Sequence, residues 1–438
     1  MKNSEIIKMI EKYEDFARDF RRDLHTFPEI GWHEFRTSSK IAEVLAENNI
    51  PFLIGEEHLD KNSVFGYPNE DEIEASIKRA LAEGAKKEYI DRMNGYTGLT
   101  AMIDSGKEGP VTAFRVDIDA LPVYESHDMK HFPYAKNFVS KHEGWMHACG
   151  HDGHATIGLV TCLMLNEMKD SLKGKIKIIF QPAEEGVRGA YSVVKSGNLD
   201  DVDKFIGIHI NTNKNKGSCK QKLFAATNSV GFLATTKLDI NFTGVPSHAA
   251  GSPEKGKNAL LAAATCALAI QTQTQDGRGK IRANVGKLEA GTGRNVIAAN
   301  AFMMAETRGE TTEISEDVFE NVKNIIAGSA KMFGCDYSID IMGKAETALS
   351  DISLRHDVDK IIRENLNEPH TEENSCGGSE DVTYMMNHVQ KMGGESMHMY
   401  LCTDLEGSAH NSFYSYNENV LLYGAKILSI VANEINKI

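Results

Sequence analysis

An α/β sheet domain interrupted by a smaller α+β unit is the fold class this sequence predicts, and three observations carry it. From about residue 97 to 210, apolar extended runs alternate with amphipathic segments, as in a sheet with helices packed on it. From 227 to 344 the order becomes strand, helix, strand, strand, helix, strand, a ferredoxin-like β-α-β-β-α-β succession. After about 345 helix-rich text resumes, and "HMYLCTDL" reads as a strand returning to the first sheet. The smaller unit is therefore an insertion, with 1–226 and 345–438 expected as one domain and 227–344 as the other. A chain of 438 residues exceeds the size at which one core stops growing, so two domains are the natural expectation.

The elements follow in order. The N-terminal "MKNSEIIKMIEKYEDFARDFRRDLHTF" places Ile6, Ile7, Ile10, Phe16 and Phe20 at helical spacing and predicts one amphipathic helix. Residues 66–94 are charged and helical in pattern, with Ile73, Ile77, Ala80 and Leu81 on one side, the mark of a solvated surface helix. "TGLTAMIDS" and "VTAFRVDIDA" read as strands, 151–169 as helix, and "GKIKIIFQPAEE" and "KFIGIHI" as strands again. In the inserted unit "FLATTKLDINFTG", "RANVGKLEAG", "NVIAANAFMMAETRG" and "CDYSIDIMG" are strands, with helices over 258–272 and 315–333. "ALLAAATCALAI" is too short to span a bilayer and reads as a buried helix.

Composition excludes several classes of partner. A formal charge of −14 without a compensating basic cluster repels phosphate backbones and anionic lipid, so neither nucleic acid nor membrane is expected. The N-terminus carries charge at every turn and has no apolar leader core. Seven cysteines, at 149, 162, 219, 266, 335, 376 and 402, are scattered without a disulfide framework, which predicts a reducing cytoplasm.

The chemistry concentrates in "HACGHDGHAT", where Gly150 between Cys149 and His151 lets a bent backbone aim thiolate and imidazole at one locus. One loop rarely supplies every ligand of a catalytic metal, and the remaining candidates fall at predicted strand ends, where α/β sheets build their sites: Asp117, Asp119, Glu184, Glu185 and His209. Adjacent carboxylates on extended chain point apart, so one of Glu184 and Glu185 can bind metal while the other stands off as a general base. Asp117 and Asp119 share a strand face, and a carboxylate there can hold the second nitrogen of a ligating histidine. His209, on an apolar strand, has an ordinary reading as a satisfied core histidine, and His410 in "SAHNSFYSYNE" one as a polar loop residue. Together the complementary ligand types favour a catalytic metal.

The segments "RRDLHTFPEIGWHEFRTS", "FRVDIDALP", "HACGHDGHATIG", "FQPAEEGVRGA", "GVPSHAAGSPEKGKNALLAA" and "GSED", in this order, resemble the M20 metallopeptidase family, amidohydrolase branch. The helical stretch near 60–95 and "TGRNV" ahead of "ETRG" resemble the subgroup acting on p-aminobenzoyl-glutamate. The resemblance implies two divalent cations per subunit, manganese or zinc foremost, and an inserted domain serving as lid and dimerisation surface. It implies Cys149 as bridging ligand, with His151, Glu185, His209 and His410 completing the coordination, Glu184 as general base and Asp119 orienting a ligand. His248 would contact the scissile carbonyl of the partner subunit, and Asn295 and Arg308 would bind the substrate carboxylate, whose geometry suits a guanidinium fork. The implied activity is hydrolysis of N-aroyl or N-acyl amino acids, p-aminobenzoyl-glutamate first, with hippurate, other acyl amino acids and dipeptides as alternatives. The implied assembly is a homodimer or a heteromer with a paralogous B subunit. No role follows for Asp117 or His154.

Three rivals remain in view. A catalytically silent, metal-binding partner would not need Glu184 beside the ligands. A structural zinc would be closed by four ligands, usually richer in cysteine, with no adjacent base. "GSPEKGKN" has the glycine and lysine spacing of a P-loop, but Asn258 stands where a Ser or Thr must hold magnesium, and Pro253 removes a backbone donor.

Overall fold

The computed structural model describes residues 1–211, 223–273, 275–366, 374–375 and 378–438. Cys219 and Cys376 lie outside them; Cys149, Cys162, Cys266, Cys335 and Cys402 form no disulfide among the described residues. No described helix is long and apolar enough to cross a membrane.

Two sheets organise the chain. The larger has seven strands in the spatial order Phe52–Ile54, Leu99–Asp104, Lys175–Gln181, Val111–Asp117, Lys204–Asn211, Glu395–Cys402 and Phe224–Ala226. Its four inner strands, from Lys175–Gln181 to Glu395–Cys402, run parallel, and the outer ones pair antiparallel. Strands buried on both faces read as near-continuous apolar runs, as "KIKIIF" and "KFIGIHI" do. The helix His151–Glu167 packs on this sheet with every residue from His151 to Leu165 buried, and the C-terminal helix Asn419–Asn436 lies against it.

The smaller sheet has four antiparallel strands in the order Asp336–Ala345, Ala234–Thr243, Asn300–Gly309 and Ile281–Ala290. The first strand in sequence is central, as the β-α-β-β-α-β succession requires. Helices Ala259–Gln271 and Thr312–Phe333 cover one face, where Leu238, Ile240, Phe242 and Met303 meet Ala262, Cys266, Val322 and Ile326. Alternation along Ala234–Thr243 sends Lys237 and Asp239 to the opposite face.

Three sequence expectations need correction. The N-terminal helix is broken: Asn3–Met9 and Glu14–Thr26 are joined by a 3₁₀ turn over Ile10–Tyr13, which rotates the second helix so that Ala17, Arg21, Leu24 and His25 are buried while Phe16 and Phe20 stack partly exposed. In the helix Glu70–Ala82, Ile73, Ser76 and Ala80 form the buried stripe and Leu81 lies outside it at 37% exposure. The "ALLAAATCALAI" helix is buried on one face only; Leu260, Leu261 and Leu268 are exposed. Its composition is apolar all round, so no pattern in the letters marks the open side. The P-loop-like segment has a plain use: the Asn258 side chain accepts from Leu261 N (3.2 Å) and caps that helix.

Candidate metal centre and active site

The carboxyl ends of three of the parallel strands open onto one cavity of about 670 Å³, and that of Val111–Asp117 supports it from behind. Val111–Asp117 leads into Asp119, Lys175–Gln181 into Glu184 and Glu185, and Lys204–Asn211 carries His209. Glu395–Cys402 leads into a loop, closed by the pairing of Leu405–Glu406 with Ser415–Tyr416, that carries His410. Cys149, Glu184, Glu185, His209 and His410 all line the cavity.

Cys149 and His151 are aimed together by Gly150, which sits at φ 94° as the residue capping the helix His151–Glu167. A side chain at 150 would also meet the Tyr414 hydroxyl 2.9 Å away. Both the conformation and the close approach call for glycine. Three non-glycine residues of the site are left-handed as well: Ala183 (φ 50°), Val187 (φ 60°) and His410 (φ 64°). Such strain persists where the surroundings over-determine it. Here the restraints are Gly189 N donating to Ala183 O (2.9 Å), Val187 N to Glu184 O (2.7 Å) and His410 N to Ala148 O (2.8 Å).

Cys149 Sγ lies 3.4 Å from His209 Nε2, and His410 Nε2 lies 3.4 Å from Glu185 Oε1. One donor atom each from Cys149, His151 and Glu185 fall within 4.8 Å of one another. Each inner histidine is held by its other nitrogen: His151 Nδ1 by Asp119 Oδ1 (3.2 Å) and His209 Nδ1 by the carbonyl of Ile210 (2.6 Å). That fixes the tautomer that leaves Nε2 free to ligate. His151 Nε2 is buried with no hydrogen-bond partner, and Glu185 Oε1 has only the His410 imidazole at 3.4 Å, a costly arrangement that a cation at their focus would resolve. Thiolate, imidazole and carboxylate together suit a divalent transition metal, so the residues present fit one.

A neighbouring cluster joins Asp117, His151, His154 and His209. His154 has no lone pair to give there. Its Nε2 accepts from Ile210 N (2.7 Å), so its proton sits on Nδ1 and goes to Asp117. Asp117 also accepts from Arg115 Nη1 (2.8 Å), which makes Asp117 and His154 a brace beneath the His209 strand.

Asp119 does more than orient His151: Oδ1 also accepts from Glu184 N (3.1 Å) and Oδ2 from Glu185 N (2.9 Å). One carboxylate thus sets both the ligand loop and the base loop. Burial, reinforced by Glu380, Glu185 and Asp381, holds the Glu184 carboxyl well above the usual carboxylate range. The proton affinity of the Glu184 side chain is thereby raised.

Behind this loop stand groups to which the letters alone assign no role. Arg115, fully buried, donates to Gln181 (2.7 Å), Asp117, Glu380 (3.0 Å) and Asp381 (3.3 Å), reaching Glu380 across 265 residues of sequence. Asp381 Oδ2 accepts from Gly189 N and Ala190 N (3.0 and 2.9 Å), tying "GSED" to the chain beyond Glu185. Glu34 accepts from Ala183 N (2.7 Å) and Thr97 Oγ1 (2.7 Å), and burial beside Asp119 pushes it up to about 8. No local pattern announces these roles, because each depends on a partner remote in sequence.

The four-stranded unit contributes differently. Arg308 lines the cavity and is gripped by Glu306, Nε to Oε1 at 3.1 Å and Nη2 to Oε2 at 3.2 Å. His248 and Asn295 do not line it. They are exposed on adjoining loops, joined by the His248–Val296 bridge and by Ala249 N donating to Asn295 O (3.0 Å). His248 Nδ1 accepts from Ala250 N (3.2 Å) and Gly251 N (2.9 Å), leaving Nε2–H outward as a donor.

The sequence pattern of Peptidase family M20/M25/M40 matches residues 113–434, which hold five of the seven strands of the large sheet and the whole small sheet. The chain belongs to that family. It is 41% identical over 420 residues to the indole-3-acetyl-aspartic acid hydrolase of Enterobacter agglomerans, covering 94% of each chain. To the A-type subunit of p-aminobenzoyl-glutamate hydrolase from Escherichia coli K12 it is 39% identical over 418 residues, again 94% of each. The crystal structure of an aminobenzoyl-glutamate utilization protein from Klebsiella pneumoniae superposes with a TM-score of 0.83 at 33% identity over 98% of both chains. This M20 chain is a hydrolase of the amidohydrolase kind, and its cavity gathers a donor set that fits a divalent metal.

Proposed function

We propose that the substrate is an N-acylated acidic amino acid, p-aminobenzoyl-glutamate first, cleaved to p-aminobenzoate and glutamate. The observation that carries this is the cavity itself: a base and a set of metal donors on one wall, and the cations Arg308 and Lys237 on the other. Relatives named for an aspartate and a glutamate conjugate support it.

Cys149 would bridge two divalent cations, manganese or zinc, with His151, Glu185, His209 and His410 completing the set. Bound there, the cations supply Lewis acidity toward the amide carbonyl and toward the hydrolytic water. Glu184 takes the proton of that water and delivers it to the leaving nitrogen, so water and amide become acid and amine. Asp119 keeps His151 and the Glu184 loop in register. Arg308 and Asn295 hold the carboxylate end of the substrate. His248, exposed and pre-set as an Nε2 donor, reaches the scissile carbonyl of a partner. The unit 227–344 serves as lid and dimerisation surface, and the partner is a second copy or a paralogous B subunit in the cytoplasm.

The test is hydrolysis of p-aminobenzoyl-glutamate, hippurate and a set of N-acetyl amino acids by metal-loaded protein, repeated with Glu184→Ala. Expected are turnover of p-aminobenzoyl-glutamate above the rest and a fall in kcat of ~10³ in the variant at unchanged metal content. A variant as fast as wild type would remove Glu184 from the mechanism.

A further inference from the structure

We infer that Lys237 recognises the side-chain carboxylate of the substrate's amino acid, making this site selective for an acidic residue on the amine side of the scissile bond. The inference rests on the amidohydrolase reading and on Arg308 holding the α-carboxylate.

Lys237 sits on the central strand Ala234–Thr243, on the face turned away from the two helices, and lines the cavity. Its cross-strand partner is Glu306, while Arg308 lies two residues further along the same strand and pairs with Thr235. Lys237 and Arg308 are therefore diagonal neighbours on one face, with Cβ atoms roughly 7 Å apart, close enough for two long side chains to hold the two carboxylates of one glutamate.

What marks Lys237 as a binding group is its lack of a partner. Glu306, the carboxylate directly opposite, is committed to Nε and Nη2 of Arg308. Lys237 makes no hydrogen bond or ion pair among the described residues; it is partly buried, and burial lowers its ammonium pKa against the opposing charges of Glu306, Glu184 and Glu185. An unpaired ammonium at a half-closed site costs stability and is retained where an anion completes it. Apart from histidine, Lys237 and Arg308 are the cations among the residues lining the cavity, and they face Glu184, Glu185 and Glu380. Such a dipolar cavity orients a bound conjugate, with the amide toward the carboxylate wall and the acidic end toward the cations. Glu185 belongs to the metal donors and Glu184 must accept a proton, so neither is available as a permanent counter-ion for Lys237.

The experiment compares p-aminobenzoyl-glutamate with its uncharged isostere p-aminobenzoyl-glutamine on wild type, Lys237→Gln and Lys237→Arg, with metal content measured for each. Wild type is expected to favour the glutamate conjugate, chiefly through KM. Lys237→Gln should raise KM for it by roughly 10- to 100-fold, the worth of one charged hydrogen bond, with kcat nearly unchanged and the glutamine conjugate unaffected. Lys237→Arg should restore most of the preference. Equal losses on both substrates in Lys237→Gln would place Lys237 in the service of the catalytic centre and overturn the inference. So would equal wild-type kcat/KM for the two conjugates, a result that needs no variant and leaves the amidohydrolase reading intact. Wild-type failure on both, and on other N-acyl amino acids, would instead remove the reading beneath it.

Discussion

Two arginines, Arg115 on the large sheet and Arg308 on the small one, show how differently the halves of this active site are built. Arg115 is fully buried and spends its donors on Gln181, Asp117, Glu380 and Asp381. Arg308 is partly exposed, is gripped by Glu306 through Nε and Nη2, and borders open cavity. The first half is finished before substrate arrives, since every orienting contact of Asp119, Asp117 and Glu34 is made within the chain. The second holds the Arg308–Glu306 pair at the cavity edge and, beside it, the Lys237 ammonium, which has no hydrogen bond or ion pair among the described residues. Rigid donors suit metal and proton chemistry, where misplacement by an ångström is costly; unsatisfied charges suit selection of a ligand.

The largest effect should come from breaking the finished half. Arg115→Met leaves Asp117, Glu380 and Asp381 buried together without their counter-charge, and removing one partner of such a group costs about 3 to 5 kcal/mol. Urea unfolding should show that loss. Arg308→Met should move the unfolding midpoint little, since an exposed pair contributes at most about 1 kcal/mol, while lowering kcat/KM for the glutamate conjugate at least ~10-fold. If the two variants lost the same stability, the contrast between a structural and a waiting arginine would be gone.

The next effect separates the exposed histidine from the site of its own chain. His248 lies outside the cavity that holds Glu184. His248→Ala should reduce kcat by ~10², the worth of one donor to a developing oxyanion, with folding and metal content intact. Mixing and re-equilibrating His248→Ala with Glu184→Ala should then regain turnover, because a hybrid dimer contains one site with both groups. A mixture as inactive as its components would show that His248 does not act across the dimer.

How much of this was legible depends on where a residue's partners lie. The order of the small sheet and five of the seven strands of the large one could be read because each element repeats its period locally, whereas the edge strands Phe52–Ile54 and Phe224–Ala226, three residues each, are too short to carry one. The ligand loop announced itself because Cys149, Gly150 and His151 are consecutive. Arg115 did not, since in "FRVDID" it looks like an ordinary strand residue until Glu380 is brought to it from another region of the chain. Lys237 looks like the solvent-facing position of an alternating strand, and only the placement of one sheet over the other turns that face into a cavity wall. The exposed side of Ala259–Gln271 was invisible because its letters are apolar all round, and the turn at Ile10–Tyr13 because no proline or glycine marks it.

The smallest expected effect concerns a buried residue outside the site, packed beside the large sheet. His58 is fully buried, with Nδ1 on Thr100 Oγ1 (2.9 Å), and burial lowers its pKa to about 3. The unfolded chain binds the proton at the ordinary histidine pKa near 6.5. Between pH 6.5 and 3 the unfolded state thus carries more protons, and stability falls as pH falls through that window. The slope is ~1.4 kcal/mol for each pH unit below 6.5 from this one imidazole. His58→Gln cannot take up that proton. Its unfolding free energy, measured in urea at pH 7, 6 and 5, should decline less steeply than that of wild type between pH 6 and 5, by ~1 kcal/mol. Identical slopes would mean that His58 is protonated in the folded protein at these pH values, and that this part of the large sheet opens to water more readily than its burial implies.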